Sequence, residues 1–258
     1  MSGKIYEPKG KALEYAPLAL NLYKGCTHRC VYCYVPGIPP WKFGADPRGA
    51  FHSYTEPFKN CLGKVYASAA AYAGDKRPVL LSFPSDPYQK MEEELLITRR
   101  AIRTLHDHGL RVEILTKGGM RAARDFDLLG DGDAIAATLT FASDNSEWAE
   151  WEPGAAPPSE RMEMLRQAHA RGIRTWASLE PVIYPDQALA IIEATHEFVD
   201  FYKIGKLNYV DALPRRFRDS VVDVNWAKFT RGVVKVLNAL QKPYLLKDSL
   251  KPYIERLF

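Results

Sequence analysis

Six times along the chain a short run of apolar residues is followed by a longer stretch of mixed polarity. The apolar runs lie at 18–23, 78–83, 111–116, 134–140, 173–179 and 199–205. Helices are predicted at about 56–73, 90–108, 119–128, 158–171, 186–198 and 224–240. Runs this short and this continuously apolar suit parallel strands buried on both faces. Within 91–105, Met91, Leu95, Leu96, Ile102 and Leu105 recur at near-helical spacing. Gly109 and Gly172 stand just past predicted helices, where a glycine commonly ends the last turn. The alternation implies an α/β fold, a parallel sheet with helices outside it. Six units favour a partial TIM barrel, (β/α)6, with an open doubly wound sheet as the alternative. Both arrangements gather ligands at the C-terminal ends of the strands, so chemistry is sought there.

The chain has 258 residues, which suits one domain. We expect its core at about 15–210, with a C-terminal helix and tail over 211–258. Apolar residues make up 47% and charged residues 26%, as in an ordinary globular protein. The net charge of +4 permits a nucleic-acid partner without arguing for one. The first residues, MSGKIYEPKGKALEYAP, hold no apolar core of a leader, and no stretch approaches the ~20 apolar residues of a membrane span. A cytoplasmic location is expected, and there clustered cysteines are more often metal ligands than disulfides.

Three of the four cysteines fall in one loop after the first strand, GCTHRCVYCY, with the spacing C-x3-C-x2-C at Cys26, Cys30 and Cys33. Three thiolates in one short loop can hold three irons of a [4Fe–4S] cluster. Most such clusters have four protein thiolates, so the missing one leaves an iron open. That iron can chelate the amino and carboxylate groups of S-adenosylmethionine (SAM). One-electron reduction, from an external donor, then breaks a C–S bond and yields a 5′-deoxyadenosyl radical. The alternative is a zinc-stabilised, non-catalytic binding module with His28 as fourth ligand. Zinc modules usually present two separated ligand pairs, and His28 sits between two of the cysteines.

GCTHRCVYCY resembles the radical SAM superfamily, and more narrowly its spore photoproduct lyase-like branch. SFPSDPYQKMEEELLITRRAI after the second strand and ILTKG at the end of the third strengthen the narrower likeness. The resemblance runs from about Tyr15 to about Lys206 and implies a (β/α)6 partial barrel with SAM along the strand ends. It implies contacts from Tyr32 beside the last cysteine, from Ser85 and Asp86 to the methionine amino group, and from Thr116 and Lys117, the lysine pairing with the SAM carboxylate. It further points to Thr140 and Ser143 for the ribose, to Glu180 at the fifth strand end, and to Lys203, Lys206 and Asn208 around the sixth.

In the lyase a cysteine two residues before the Ser-Asp pair supplies a hydrogen atom; here that position is Phe83. The remaining thiol, Cys61, falls in the predicted helix 56–73 at core-like spacing and reads as inert. Repair of thymine lesions is therefore not expected to carry over. A nucleic acid or nucleotide is the first substrate reading, and a peptide or small metabolite the second. Two long loops are candidates to shape the pocket: 35–56, with Trp41, Phe43, His52 and Tyr54, and 141–157, with Trp148 and Trp151. Their aromatics either stack on bases or pack down as a lid. The basic stretch LPRRFRDS at 213–220 either meets phosphate or is a solvated loop.

Overall fold

A computed structural model describes residues 3–39, 45–221 and 224–254. Among the described residues there are nine strands: β1 Leu18–Ala19, β2 Tyr23–Gly25, β3 Thr55–Pro57, β4 Val79–Leu81, β5 Val112–Thr116, β6 Ala134–Thr138, β7 Arg174–Val182, β8 Phe201–Lys206 and β9 Tyr244–Leu246. The helices are α1 Pro47–His52, α2 Cys61–Ala71, α3 Glu92–Leu95, α4 Ile97–Asp107, α5 Ser146–Trp151, α6 Pro158–Ala170, α7 Pro185–Thr195, α8 Arg215–Arg218 and α9 Trp226–Ala239.

Seven strands form one parallel sheet in the order β1-β4-β5-β6-β7-β8-β9, curled into a half-barrel. Spatial order follows chain order, as successive right-handed crossovers produce. The partial-barrel expectation holds, with a seventh strand added. Side chains alternate across the sheet. Leu81, Ile114, Ile135, Ala177 and Ile204 pack against the outer helices, while Ala19, Leu80, Ala134, Ala136 and Trp176 face inward. The small inward residues leave room inside the curl.

Four elements differ from the sequence expectation. The first run ends as a sheet strand at Ala19; from Tyr23 the chain leaves the sheet and pairs antiparallel with β3, Tyr23 opposite Pro57 and Gly25 opposite Thr55. The helix predicted at 56–73 consequently starts at Cys61, behind Asn60 in the left-handed conformation. The helix predicted at 90–108 is broken at Leu96, also left-handed, with φ of 52°. The segment Gly119–Leu128 winds as a 3-10 helix. Gly109 and Gly172 do end their helices at positive φ, 71° and 76°.

The stretch before β1 bridges the two edges of the half-barrel. Tyr6 exchanges backbone hydrogen bonds with Ala19 on the β1 side. On the β9 side Lys247 Nζ donates to the Lys11 carbonyl (3.2 Å), and Asp248 N–H to Glu14 (2.9 Å). Both exposed edges are thereby covered at this level.

At the strand tops, Arg161 of α6 is fully buried. Its guanidinium pairs with the equally buried Glu152 and donates to the carbonyls of Ala156 (2.7 Å) and Thr138 (2.9 Å). The Tyr32 hydroxyl donates to the other Glu152 oxygen. Burial alone would raise the Glu152 pKa, but Arg161, then Lys117, together with the hydrogen bonds from Arg161 and Tyr32, hold it below the usual carboxylate range. Removing one partner strands the other charge away from water. Arg161→Met should lower the unfolding free energy by about 3–5 kcal/mol in urea denaturation. The double substitution Arg161→Met/Glu152→Leu should cost less than Arg161→Met alone.

Candidate active site

The cysteine loop leaves β2 through Gly25, whose φ is +72° and where a Cβ would lie 2.3 Å from the Tyr54 carbonyl oxygen. Both facts call for glycine directly before the first cysteine. The loop is then fastened from every side. Arg48 of α1 donates to the carbonyls of Val31 (2.7 Å) and Cys33 (3.2 Å). His52 Nδ1 donates to the Cys26 carbonyl (2.8 Å). Val31 N–H reaches the Trp151 carbonyl (2.9 Å), and Gly154 N–H the His28 carbonyl (2.9 Å). Gly154 approaches so closely that a Cβ there would lie 2.2 Å from the Thr27 oxygen. From the start of the β4–α3 connection, the Ser85 hydroxyl donates to the Gly25 carbonyl (2.6 Å).

Cys26, Cys30 and Cys33 line one cavity of about 790 Å³ at the C-terminal ends of the strands, inside the usual size range of ligand pockets. Burial pushes each of these thiols up to about 12. As bare thiolates they would be costly, and a bound metal removes that cost. His28 is buried in the same wall; its Nδ1 lies 3.6 Å from Asp86, and its Nε2 has no hydrogen-bond partner. Burial lowers the His28 pKa to about 4, so the ring is neutral near pH 7. An orphaned ring nitrogen beside three thiols fits a further polar group in this space. Among the described residues no three His, Cys, Asp or Glu side chains gather closely enough to share a single metal ion. A cubane asks for something different, one thiolate for each of three irons.

Asp86 is taken up by the strand ends. Its carboxylate accepts from Thr116 Oγ1 (2.6 Å), Lys117 N–H (2.6 Å) and Tyr88 N–H (2.8 Å). A ligand ammonium would have to share it. Lys117 is the opposite case. It lines the cavity with its ammonium 5.4 Å from the centre of the Tyr32 ring, and among the described residues no acceptor bonds it. Glu152, the nearest buried carboxylate in charge terms, is already held by Arg161.

The far wall is a polar cluster. Glu180 accepts from the Tyr15 hydroxyl (2.5 Å) and pairs with Lys247 (3.2 Å), and the Asn208 amide approaches it at 3.5 Å. Lys11 donates to the Asn208 side-chain oxygen (3.0 Å). All five line the cavity, with Phe83 edge-on to Tyr15 at 5.9 Å.

Of the residues proposed from sequence, the structure thus gathers Tyr32, Ser85, Asp86, Thr116, Lys117, Glu180 and Asn208 around one cavity with the three cysteines. Thr140 is buried behind it, 3.2 Å from the Tyr32 hydroxyl, and Thr138 lines the wall instead. Ser143 is exposed beyond the strand end. Lys203 donates to the Tyr15 carbonyl (2.6 Å) and lies on the Trp176 ring at 4.1 Å, deeper in the barrel. Lys206 stands over the rings of Trp226 and Tyr253. Cys61 is buried at the start of α2, with its thiol on the Leu22 carbonyl (3.5 Å).

Trp151 is buried against Phe217 and Tyr32, and Trp148 packs on the same cluster, so this loop packs down as a lid. Trp41 and Phe43 lie outside the described residues. Arg215, Arg216 and Arg218 are tied to Asp219 and Glu150 on the exterior. Sequence reasoning missed Tyr15, Arg48, Glu152, Arg161 and Lys247. Gln89 lay inside a segment already singled out, without a role.

A curled parallel sheet carries three cysteine thiols in one cavity at its strand tops. Residues 20–199 match the family profile of the radical SAM superfamily, and the chain belongs to that superfamily. An uncharacterised protein of Methanocaldococcus jannaschii is 26% identical over 243 residues, 88% of this chain and 87% of its own length. One from Mycobacterium tuberculosis is 24% identical over 180 residues, 68% of this chain and 52% of its own. Among solved structures, a spore photoproduct lyase variant with bound AdoMet and dinucleoside spore photoproduct matches with a TM-score of 0.62 at 15% identity, over 99% of this chain and 77% of that one. SuiB of Streptococcus suis bound to SAM matches with a TM-score of 0.60 at 9% identity, over 88% of this chain and 49% of that one. At such identities the likeness establishes the fold.

The different attachments of Asp86 and Lys117 separate in a stability measurement. Asp86→Ala orphans three donors and should cost about 2–4 kcal/mol. Lys117→Met breaks no bond and should change stability by less than about 0.5 kcal/mol. Chemical denaturation of both variants checks this; equal losses would contradict it.

Proposed function

We propose that this radical SAM enzyme holds a [4Fe–4S] cluster on Cys26, Cys30 and Cys33 and uses SAM, with an external one-electron reductant, to act on a nucleic acid or nucleotide. The observation that carries the reading is the convergence of three cysteine thiols and Lys117, bonded by no acceptor among the described residues, on a single cavity. A reduced cluster held on Cys26, Cys30 and Cys33 would, with SAM bound, supply 5′-deoxyadenosyl radical chemistry; the chain's own residues bind, orient and enclose. Lys117 offers the charge that a SAM carboxylate needs, and no side-chain partner has to be displaced. Ser85 and Asp86 brace the strand ends beside it, with the Asp86 carboxylate able to share a ligand ammonium. Thr116 and Thr138 complete that wall. Trp148, Trp151 and Phe217 pack against Val31 and Tyr32 and brace the cysteine loop.

The far wall suits the substrate, with Glu180, Asn208 and Lys247 as its polar groups. Tyr34 and Tyr209, half exposed at the cavity, offer faces on which a base can stack. The lyase that matches over nearly the whole chain was solved with a dinucleoside ligand, which favours this substrate class. The peptide reading rests on SuiB, which was also solved with its precursor peptide and which this chain covers by about half. A zinc-stabilised binding module fits less well, because the thiols and His28 do not gather on one point.

Anaerobic reconstitution tests the assignment. The protein should take up about four irons and form 5′-deoxyadenosine from SAM under dithionite. Replacing any one of Cys26, Cys30 or Cys33 by Ala should abolish both, whereas Cys61→Ala should retain both. A triple-cysteine variant that still cleaves SAM would refute the assignment. Lys117→Met should assemble the cluster normally and weaken SAM binding about ten- to a hundredfold, the worth of one charge-assisted hydrogen bond. Calorimetric titration of SAM into the loaded protein measures it.

A further inference from the structure

Gln89 is fully buried beside the cysteine loop. Its Oε1 accepts three hydrogen bonds, from Thr27 N–H (3.2 Å), Thr27 Oγ1 (2.9 Å) and Thr55 Oγ1 (3.2 Å). A backbone N–H can only donate, so the oxygen must face Thr27 and the amide cannot be turned the other way. That leaves Nε2 pointing at the Cys26 sulfur, 3.1 Å away. The side chain thus presents a fixed N–H donor to one of three thiols, from a position 63 residues distant in the chain. Thr55, on β3, and Thr27, on the loop, lock it from both sides, so the orientation is set before any metal arrives.

A hydrogen bond to a cluster thiolate draws electron density from the sulfur and stabilises the reduced, more negative state. We propose that Gln89 is a positioning residue for the cluster, whose N–H···S bond to Cys26 raises the cluster's reduction potential. The proposal rests on the cluster assignment above. It explains why a polar amide is buried here: a hydrocarbon side chain of the same length could fill the space, but it would leave Thr27 N–H without an acceptor and the sulfur without a donor.

The test is an EPR-monitored redox titration of reconstituted wild-type protein and of Gln89→Leu, Gln89→Glu and Thr55→Val at matched iron content. Gln89→Leu removes the donor, and Gln89→Glu keeps the acceptor for Thr27 while replacing the donor. Both midpoints should move to more negative values. Thr55→Val removes one brace but leaves Nε2 on Cys26, and its midpoint should stay at the wild-type value. An unchanged midpoint in loaded Gln89→Leu or Gln89→Glu overturns the proposal. So does failure of both to hold iron, which would make Gln89 a brace of the loop only. If the wild-type protein itself takes up no cluster, the earlier assignment has failed rather than this one.

Discussion

The buried ion pair between Arg161 and Glu152 anchors the strand tops beside the cysteine loop. Two opposite charges removed from water stabilise a fold only when geometry and extra hydrogen bonds complete them. Here Arg161 also serves two carbonyls, and Glu152 also serves Tyr32. The pair therefore joins α6, the end of β6 and the cysteine loop in one polar unit. With Glu152 bonded to Arg161 and Tyr32, Lys117 acts on it through space only, and among the described residues no acceptor bonds the lysine.

Around that unit the strand ends divide two kinds of work. Asp86 ties β4 to β5 through Thr116 and Lys117 and fixes where the lysine backbone sits. Arg48, His52 and Gly154 hold the loop by its backbone, which leaves the thiol side chains for a ligand. The N-terminal stretch supplies Tyr15 and Lys11 to the opposite wall, where they meet Glu180 and Asn208. The thiol loop and the Glu180 cluster therefore line the same cavity. A small molecule bridging them would touch both the thiol loop and the Glu180 cluster.

The strands that build the sheet were legible because their continuous apolar runs have one physical use, burial between two layers. The cysteine loop was legible because its three cysteines are local in sequence. What escaped was non-local. The β2–β3 pairing depends on Tyr23 meeting Pro57, and three-residue strands carry no periodicity. β9 is equally short. The break at Leu96 has no glycine or proline to announce it. Arg161 and Glu152 look like surface charges on helices until their partners are known. Lys203, named through the resemblance, meets a backbone carbonyl and a tryptophan face, contacts that only the folded chain reveals. Asp86 and Lys117 were named through the family resemblance, yet their opposite states of attachment appear only in the folded chain.

On the proposed assignment three cysteines would leave one iron open, and SAM would close it beside Lys117. The most direct measurement is electron–nuclear double resonance on the reduced, reconstituted protein with SAM labelled with 15N at the amino group and 17O at the carboxylate. The account predicts magnetic coupling of both labels to the cluster. A reduced cluster whose spectrum is unchanged by labelled SAM would contradict it.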